Sequence, residues 1–136
     1  MYRHFVDTGR APLSEKVALL LEQPPESVRV AFERLAAAHV LVLDPETREV
    51  WMAMPFSAVA TPFRVTSTSE QWWANCAWDA FGIPAMMVSD ADIHTVCGAC
   101  RRPLLFRVVG GRVTEVAGAV HFAVRPANWW DDIGFT

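Results

Sequence analysis

The sequence lacks both a long uninterrupted apolar run and an excess of positive charge. No apolar run approaches the roughly 18 residues that a membrane-spanning helix needs, and residues 1–16 lack the apolar core of a signal peptide. Lys and Arg number 12 against 15 Asp and Glu, which gives a net charge of −3, whereas nucleic-acid-binding domains are normally basic. We therefore expect a cytoplasmic protein that binds neither a membrane nor nucleic acid.

Cysteine is scarce and odd in number. The chain of 136 residues contains three cysteines, and an odd number argues against a disulfide framework and leaves thiols free for chemistry. With 52% hydrophobic residues and six tryptophans, the chain has enough apolar material for a core. It fits one compact domain or two very small lobes that share that core.

The first half has the pattern of two helices followed by a hairpin. One helix is predicted to begin at a capping Ser14 and to carry Leu20 and Leu21 at helical spacing. A second helix begins just after Pro25. Two apolar runs separated by the turn sequence DPET then indicate a β-hairpin. This order predicts a winged-helix-like unit over residues 1–54.

A winged helix suggests DNA binding, but the charge balance argues against that role. Residues 1–66 contain seven Lys or Arg and eight Asp or Glu, a net charge of 7 − 8 = −1. Since attraction to phosphates supplies most of the non-specific affinity for DNA, this surface is expected to bind duplexes poorly. We expect instead a helical cap that packs on the second half.

The rest of the chain predicts a connector and then a mixed α and β region. Residues 55–70 combine Pro, Ser and Thr with apolar side chains, which indicates a connector that packs against the fold. From Ser69 the pattern predicts a helix, and the later segments, including those around Val116 and over 119–125, predict an antiparallel meander. The predicted fold class is α+β, with a helix and a small antiparallel sheet over residues 71–136.

Cys76 and Asp79 are the first candidates for chemistry. Residues three apart on a helix lie side by side, so a sulfur and a carboxylate would face one small volume. The carboxylate could pass a proton to or from the thiol or a group bound to it, and it would also tend to raise the thiol pKa. The pair therefore suits a soft metal, with the thiolate as ligand and the carboxylic acid as proton donor to a departing carbon. The alternative is a buried free cysteine beside a helix-capping aspartate.

Cys97 and Cys100 form a Cys-x-x-Cys sequence between two apolar runs. Such a turn occurs in zinc sites, where His94 or His121 would have to complete the ligands because a second Cys-x-x-Cys is missing. A redox pair is a second interpretation. A plain turn with one buried and one exposed thiol is a third, and all three stay open on the sequence alone.

The sequence resembles the alkylmercury lyase (organomercurial lyase) family in four segments, which occur in the family's order: PFSAVATPFRV, WWANCAWDAFGIPAMM, VCGAC and AVHFAVRPANWWDDIGFT. The resemblance covers nearly the whole chain and includes a winged-helix-like region ahead of the catalytic part. It implies that Cys76 is the thiolate that attacks mercury and that Asp79 shuttles the proton. It also implies that the family's structural cysteine falls on Cys97 and that no organic cofactor is used.

The sequence departs from the family at one position. The family has a second catalytic cysteine, and the resemblance places it just past Thr136, so we expect residues 1–136 to stop short of it. Cys100 could replace that cysteine only if its loop folds towards Cys76.

The implied function is protonolysis of a carbon–mercury bond, which gives Hg(II) and a hydrocarbon. Two other functions stay open: a non-catalytic binder of soft metal ions that uses Cys76 with Cys97 or Cys100, and a winged-helix regulator that responds to a metal or a thiol-reactive compound. The expected partner is a small organomercurial or another soft-metal ligand.

Overall fold

The computed structural model describes residues 1–114 and 118–134. Its helices are α1 (Tyr2–Thr8), α2 (Ser14–Leu21), α3 (Pro25–Ala37) and α4 (Ala77–Met87), followed by a 3₁₀ helix (Pro126–Asp131). Its strands are β1 (Val42–Leu43), β2 (Val50–Ala53), β3 (Phe56–Ser57), β4 (Phe63–Thr66), β5 (Gln71–Ala74), β6 (Ala91–Val96), β7 (Pro103–Val109) and β8 (Arg112–Val113). Within the described ranges, none of the helices has the length and apolar character needed to cross a membrane.

The strands of the described ranges form one antiparallel sheet in the order β1-β2-β3-β5-β4-β6-β7-β8. β3 pairs with one edge of β5, with Phe56 opposite Ala74, and β4 pairs with the other edge. The sheet is therefore continuous from the first hairpin to the last. Helices together with this antiparallel sheet confirm the α+β class.

Strands from all three predicted units pair within this sheet. The division of the chain after residues 54 and 70 stays a prediction. β2 belongs to the first predicted unit, β3 and β4 to the predicted connector, and β5 to the last unit. Each unit is thus joined to the next by backbone hydrogen bonds between strands.

The first half contains two helices and a hairpin in the predicted order, as α2, α3, β1 and β2, and its winged-helix character stays a prediction. Two details of the prediction were wrong. Ser14 does not cap α2, because its hydroxyl donates to Glu49 Oε1 at 2.6 Å. Leu20 and Leu21 are 70% and 60% exposed, since α2 turns Ala18 towards the core.

The helix predicted from Ser69 is wrong at its start. Gln71–Ala74 form β5, and α4 begins only at Ala77. Burial alternates along β5, with Trp72 and Ala74 buried, as expected for a strand with one face on the core. Aromatic side chains fit such a pleated surface, and pairing with two neighbours stabilises the strand over a helix.

The predicted meander is only partly present. β7 is followed by β8, but residues 119–125 form no strand, and the predicted strand at Val116 lies outside the described residues. Phe122 instead packs against the rings of Trp78 and Trp129, with centroid separations of 6.5 and 5.3 Å. Contacts between aromatic rings therefore hold this segment beside α4 in place of strand pairing.

Trp72 ties the N-terminal helix to the sheet. It is 1% exposed, and its indole N–H donates to the carbonyl oxygens of Phe5 at 3.0 Å and Val6 at 3.2 Å. The Phe5 ring stacks on Phe56 of β3 at 5.3 Å. The core thus joins α1, β3 and β5, and it supports the end of β5 from which the candidate site begins.

Trp72→Phe is expected to lower the free energy of unfolding by about 2–4 kcal/mol, because it leaves a cavity and removes the donor shared by two carbonyl groups. Leu19→Ala is the control, since Leu19 is 79% exposed and its replacement should change stability by no more than about 0.5 kcal/mol. Urea unfolding followed by circular dichroism measures both. Equal losses in the two variants would contradict this role of Trp72.

Candidate active site

Cys76 lies at the junction between β5 and α4. Its backbone is extended, with φ −146° and ψ −178°, and it is the N-cap residue of α4. Its carbonyl oxygen accepts the first helical hydrogen bond from Ala80 at 3.0 Å. Asp79 follows in the first turn of α4, so the strand-to-helix transition brings thiol and carboxyl group together as the spacing predicts.

Asn75 is a third polar residue of the site, and sequence reasoning missed it. Its side-chain N–H₂ donates to Asp79 Oδ2 at 3.1 Å and to the Phe56 carbonyl oxygen at 3.2 Å. Its own Oδ1 is buried and has no hydrogen-bond partner among the described residues. The sequence feature that could have identified Asn75 is its position directly before Cys76 and four residues before Asp79.

The surroundings raise the pKa of both candidate groups. Burial is the main cause of the raised pKa of the Cys76 thiol; the Asp79 charge adds to the increase, and the backbone N–H groups of Asp79 and Trp78 oppose it. Burial likewise raises the pKa of Asp79, while hydrogen bonds from Asn75 and Cys76 oppose this. Asp79 therefore keeps its proton to a higher pH than an exposed aspartate, and it can act as an acid.

A cavity of about 380 Å³ opens in front of Cys76 and Asp79. Apart from these two and Asn75, most of its lining is apolar or aromatic: Met52, Met54, Phe63, Ala77, Trp78, His121, Phe122, Ala123, Val124, Trp129, Trp130, Ile133 and Gly134. Trp78 lines this cavity, whereas Trp72 is in the core and Trp73 does not line the cavity. The cavity combines a few polar groups with apolar walls, as small-molecule sites usually do.

The far wall of the cavity comes from residues 121–134. The Trp130 ring stacks on His39, with centroids 4.1 Å apart and planes within 6°. The Trp129 indole N–H donates to the Val124 carbonyl oxygen at 3.0 Å. The first contact holds the wall against the residues that follow α3, and the second joins the 3₁₀ helix to the segment before it. The cavity therefore depends on packing between distant parts of the chain.

Cys97 and Cys100 lie apart from this cavity, in the turn between β6 and β7, and neither lines it. Among residues 1–114 and 118–134, no group of three or more His, Cys, Asp or Glu is arranged to hold a metal ion. His94 lies 3.3 Å from Thr66 Oγ1 through its Nε2, whereas His121 lines the cavity of Cys76. The histidines considered for a zinc site with this turn therefore have other surroundings.

Comparison with known protein families identifies the class of the chain. The family model described as alkylmercury lyase, MerB, matches residues 56–136, which is more than half of the sequence. The chain therefore belongs to the alkylmercury lyase family, and the resemblance found in the sequence is confirmed.

Comparison with solved structures supports the fold. The crystal structure of the mercury-bound form of MerB2 matches with a TM-score of 0.65 at 20% sequence identity. The match covers 82% of this chain and 53% of that chain, so the present chain spans about half the length of this relative. The comparison with curated proteins gave no match.

Cys76 is expected to react with iodoacetamide with a pH midpoint above the ordinary cysteine value of about 8.5, because burial disfavours its thiolate. Asp79→Asn should lower this midpoint by removing the nearby negative charge, but should leave it above the ordinary value because burial is the larger cause. Mass spectrometry of the Cys76 peptide across a pH series measures the midpoint.

Asp92→Asn is the control for this experiment, since Asp92 is paired with Arg107 outside the cavity and should leave the midpoint of Cys76 unchanged. A midpoint that does not respond to Asp79→Asn would show that the carboxylate does not act on the thiol.

Proposed function

We propose that this chain belongs to a protein that cleaves carbon–mercury bonds by protonolysis, and that it supplies Cys76 as the ligand of mercury and Asp79 as the proton donor. The observation that carries the proposal is the placement of this thiol and this carboxyl group together at the mouth of an apolar cavity. Family membership supports the same chemistry. Because the three cysteines are free, the protein suits a reducing compartment such as the cytoplasm.

The first step is exchange of a mercury ligand. An organomercurial enters with its organic group against the apolar wall, and the Cys76 sulfur forms a bond to mercury as the previous ligand leaves with its electron pair. The thiol proton passes to the carboxylate of Asp79. The raised pKa of the thiol does not prevent this step, because a soft metal binds thiolate strongly and displaces the proton.

The second step is proton transfer to carbon. Asp79 Oδ2 accepts a hydrogen bond from Asn75, so the acidic proton belongs on Oδ1. Asp79 donates this proton to the carbon bound to mercury, and the electron pair of the carbon–mercury bond forms the new carbon–hydrogen bond. The products are a hydrocarbon, an ionised Asp79 and Hg(II) on the Cys76 sulfur.

Cleavage also requires a second sulfur on mercury, because additional electron density at the metal weakens its bond to carbon. Among the described residues that line the cavity, Cys76 is the only thiol. The second thiolate must therefore come from outside this set of residues. With Cys76 alone, the expected product is a stable adduct of the thiolate with the organomercury cation.

A non-catalytic binder of soft metal ions is the second candidate function, and the single thiol in the described cavity is the observation that favours it. Such a protein would hold an organomercury cation on Cys76 without using Asp79 as an acid. The two functions therefore differ in the response to Asp79→Asn, which removes the acid but keeps a side chain of similar size.

A polypeptide of residues 1–136 is expected to bind one phenylmercury cation at Cys76 and to release no benzene at a useful rate. Cys76→Ser should abolish this stoichiometric adduct, because the serine hydroxyl is a poor ligand for a soft metal. Asp79→Asn should retain it. Mass spectrometry of the adduct and gas chromatography of the headspace, with excess free thiol present, measure binding and cleavage separately.

A version of the protein extended through a following cysteine is expected to release benzene, and Asp79→Asn in that version should stop the release while leaving the adduct intact. Unchanged release in that variant would rule out Asp79 as the acid. Multiple turnovers by residues 1–136 would show that Cys97, Cys100 or added thiol supplies the second sulfur, and that no further cysteine is needed for cleavage.

A further inference from the structure

The turn between β6 and β7 holds two cysteines that the proposed reaction does not use. The ladder of these strands continues to the pair Val96 and Pro103. Beyond it, the Cys97 N–H donates to the Arg102 carbonyl oxygen at 2.8 Å, and the Arg101 N–H donates to the Cys97 carbonyl oxygen at 2.8 Å. Hydrogen bonds on both sides therefore define the backbone of this turn.

The two thiols of the turn are placed as a pair. Cys97 is half-buried and Cys100 is exposed. They are separated by Gly98 and Ala99, within a turn that is closed by hydrogen bonds of the Cys97 N–H and carbonyl oxygen. The turn therefore carries two thiols at the spacing of a metal-binding Cys-x-x-Cys sequence.

Cys97 and Cys100 lie at the same end of the strands as Cys76, but they follow β6, which is two strands away from β5. Arg64 of β4 is opposite Trp73 in β5 and opposite His94 in β6. Cys76 and Cys97 each follow this row by three residues. Because neighbouring strands are about 4.8 Å apart, the backbones of β5 and β6 are about 10 Å apart at this row.

Cys76 lines the cavity, whereas Cys97 and Cys100 lie in the turn between β6 and β7 and do not line it. Metal–thiolate bonds are about 2.3 Å in zinc sites, so two sulfurs on one ion of similar size lie within about 5 Å of each other. Cys97 and Cys100 belong to one turn closed by hydrogen bonds and have the Cys-x-x-Cys spacing at which two sulfurs bind one ion. Cys76 is therefore a single thiol, whereas Cys97 and Cys100 together form a dithiol.

We propose that Cys97 and Cys100 form a second binding site, which holds an inorganic soft divalent ion such as Hg(II) between two thiolates. An organomercury cation needs one thiolate, because carbon already occupies its other coordination position, whereas inorganic Hg(II) has two positions to fill. On binding, the ion exchanges two previous ligands for two sulfurs, and the protons of the thiols pass to solvent. Binding at this site does not depend on cleavage at Cys76, although cleavage produces the ion that it takes.

The test uses residues 1–136 with Cys76→Ser, so that only the dithiol remains. This variant is titrated with mercuric chloride in the presence of a competing monothiol, and native mass spectrometry counts the bound ions while a thiol reagent counts the free cysteines. We expect one ion per chain with both remaining thiols protected. Cys100→Ser in the same background should weaken retention by at least ~100-fold, because it removes the chelating partner.

Ala99→Ser in the same background is the matched control, since it changes a neighbouring residue of the turn and leaves both thiols in place; it should retain the ion. Circular dichroism of every variant verifies the fold. If the chain with Cys76→Ser loses mercury to the monothiol as readily as the chain that also carries Cys100→Ser, the dithiol site does not exist. Because Cys76 is absent from all these variants, this outcome is independent of whether phenylmercury binds at Cys76.

Discussion

The site depends on a single backbone constraint, the extended conformation of Cys76 where β5 ends and α4 begins. β5 is held on one edge by β3 and on the other by β4, so its end is fixed in position. Because successive side chains of a strand point to opposite faces, a shift of one residue in this register would turn the thiol away from the cavity. The immediate start of α4 then places Asp79 one helical turn further on.

Burial has opposite consequences for the proposed roles of Cys76 and Asp79. A raised pKa makes Cys76 a weaker nucleophile towards ordinary electrophiles, but it makes Asp79 a carboxylic acid over a wider pH range. A soft metal can bind Cys76 despite the raised pKa of the thiol, because its affinity for sulfur displaces the thiol proton. Asn75 limits the rise in the pKa of Asp79, because its N–H donates to the carboxyl group and stabilises the ionised form.

The sequence predicted that Cys76 and Asp79 lie together, but it did not predict the secondary structure around them correctly. The spacing of Cys76 and Asp79 brings them together, because a separation of three residues is local and needs only the first turn of a helix. The start of that helix was wrong, since periodicity over a short apolar segment cannot distinguish a strand from a helix until its partners are known. The segment around Trp72 is a strand because it pairs with β3 on one side and with β4 on the other.

The cavity wall could not be predicted from local pattern for the same reason. Phe122 lies in a segment with the alternation of a strand, but its contacts are rings that come from α4 and from the 3₁₀ helix. Leu20 has the spacing of a core residue and is nevertheless exposed, because the neighbouring Ala18 occupies the buried position. In each case a contact between distant residues overrides a pattern that extends over only a few positions.

The apolar wall and the dithiol turn would favour different chemical states of mercury. An aryl group that buries about 100 Å² against this wall gains about 2.5 kcal/mol at roughly 25 cal/mol per Å², which is a preference of about 70-fold for an organomercury cation over the bare ion at Cys76. In the proposed reaction, protonolysis removes that preference, because the hydrocarbon is no longer attached to the metal. The ion that remains would lie on the single thiolate of Cys76, whereas the turn between β6 and β7 carries two thiols. Under the two proposals, release of the organic group changes which part of the protein binds mercury more tightly, and the direction of transfer follows from the number of thiolates that each place can offer.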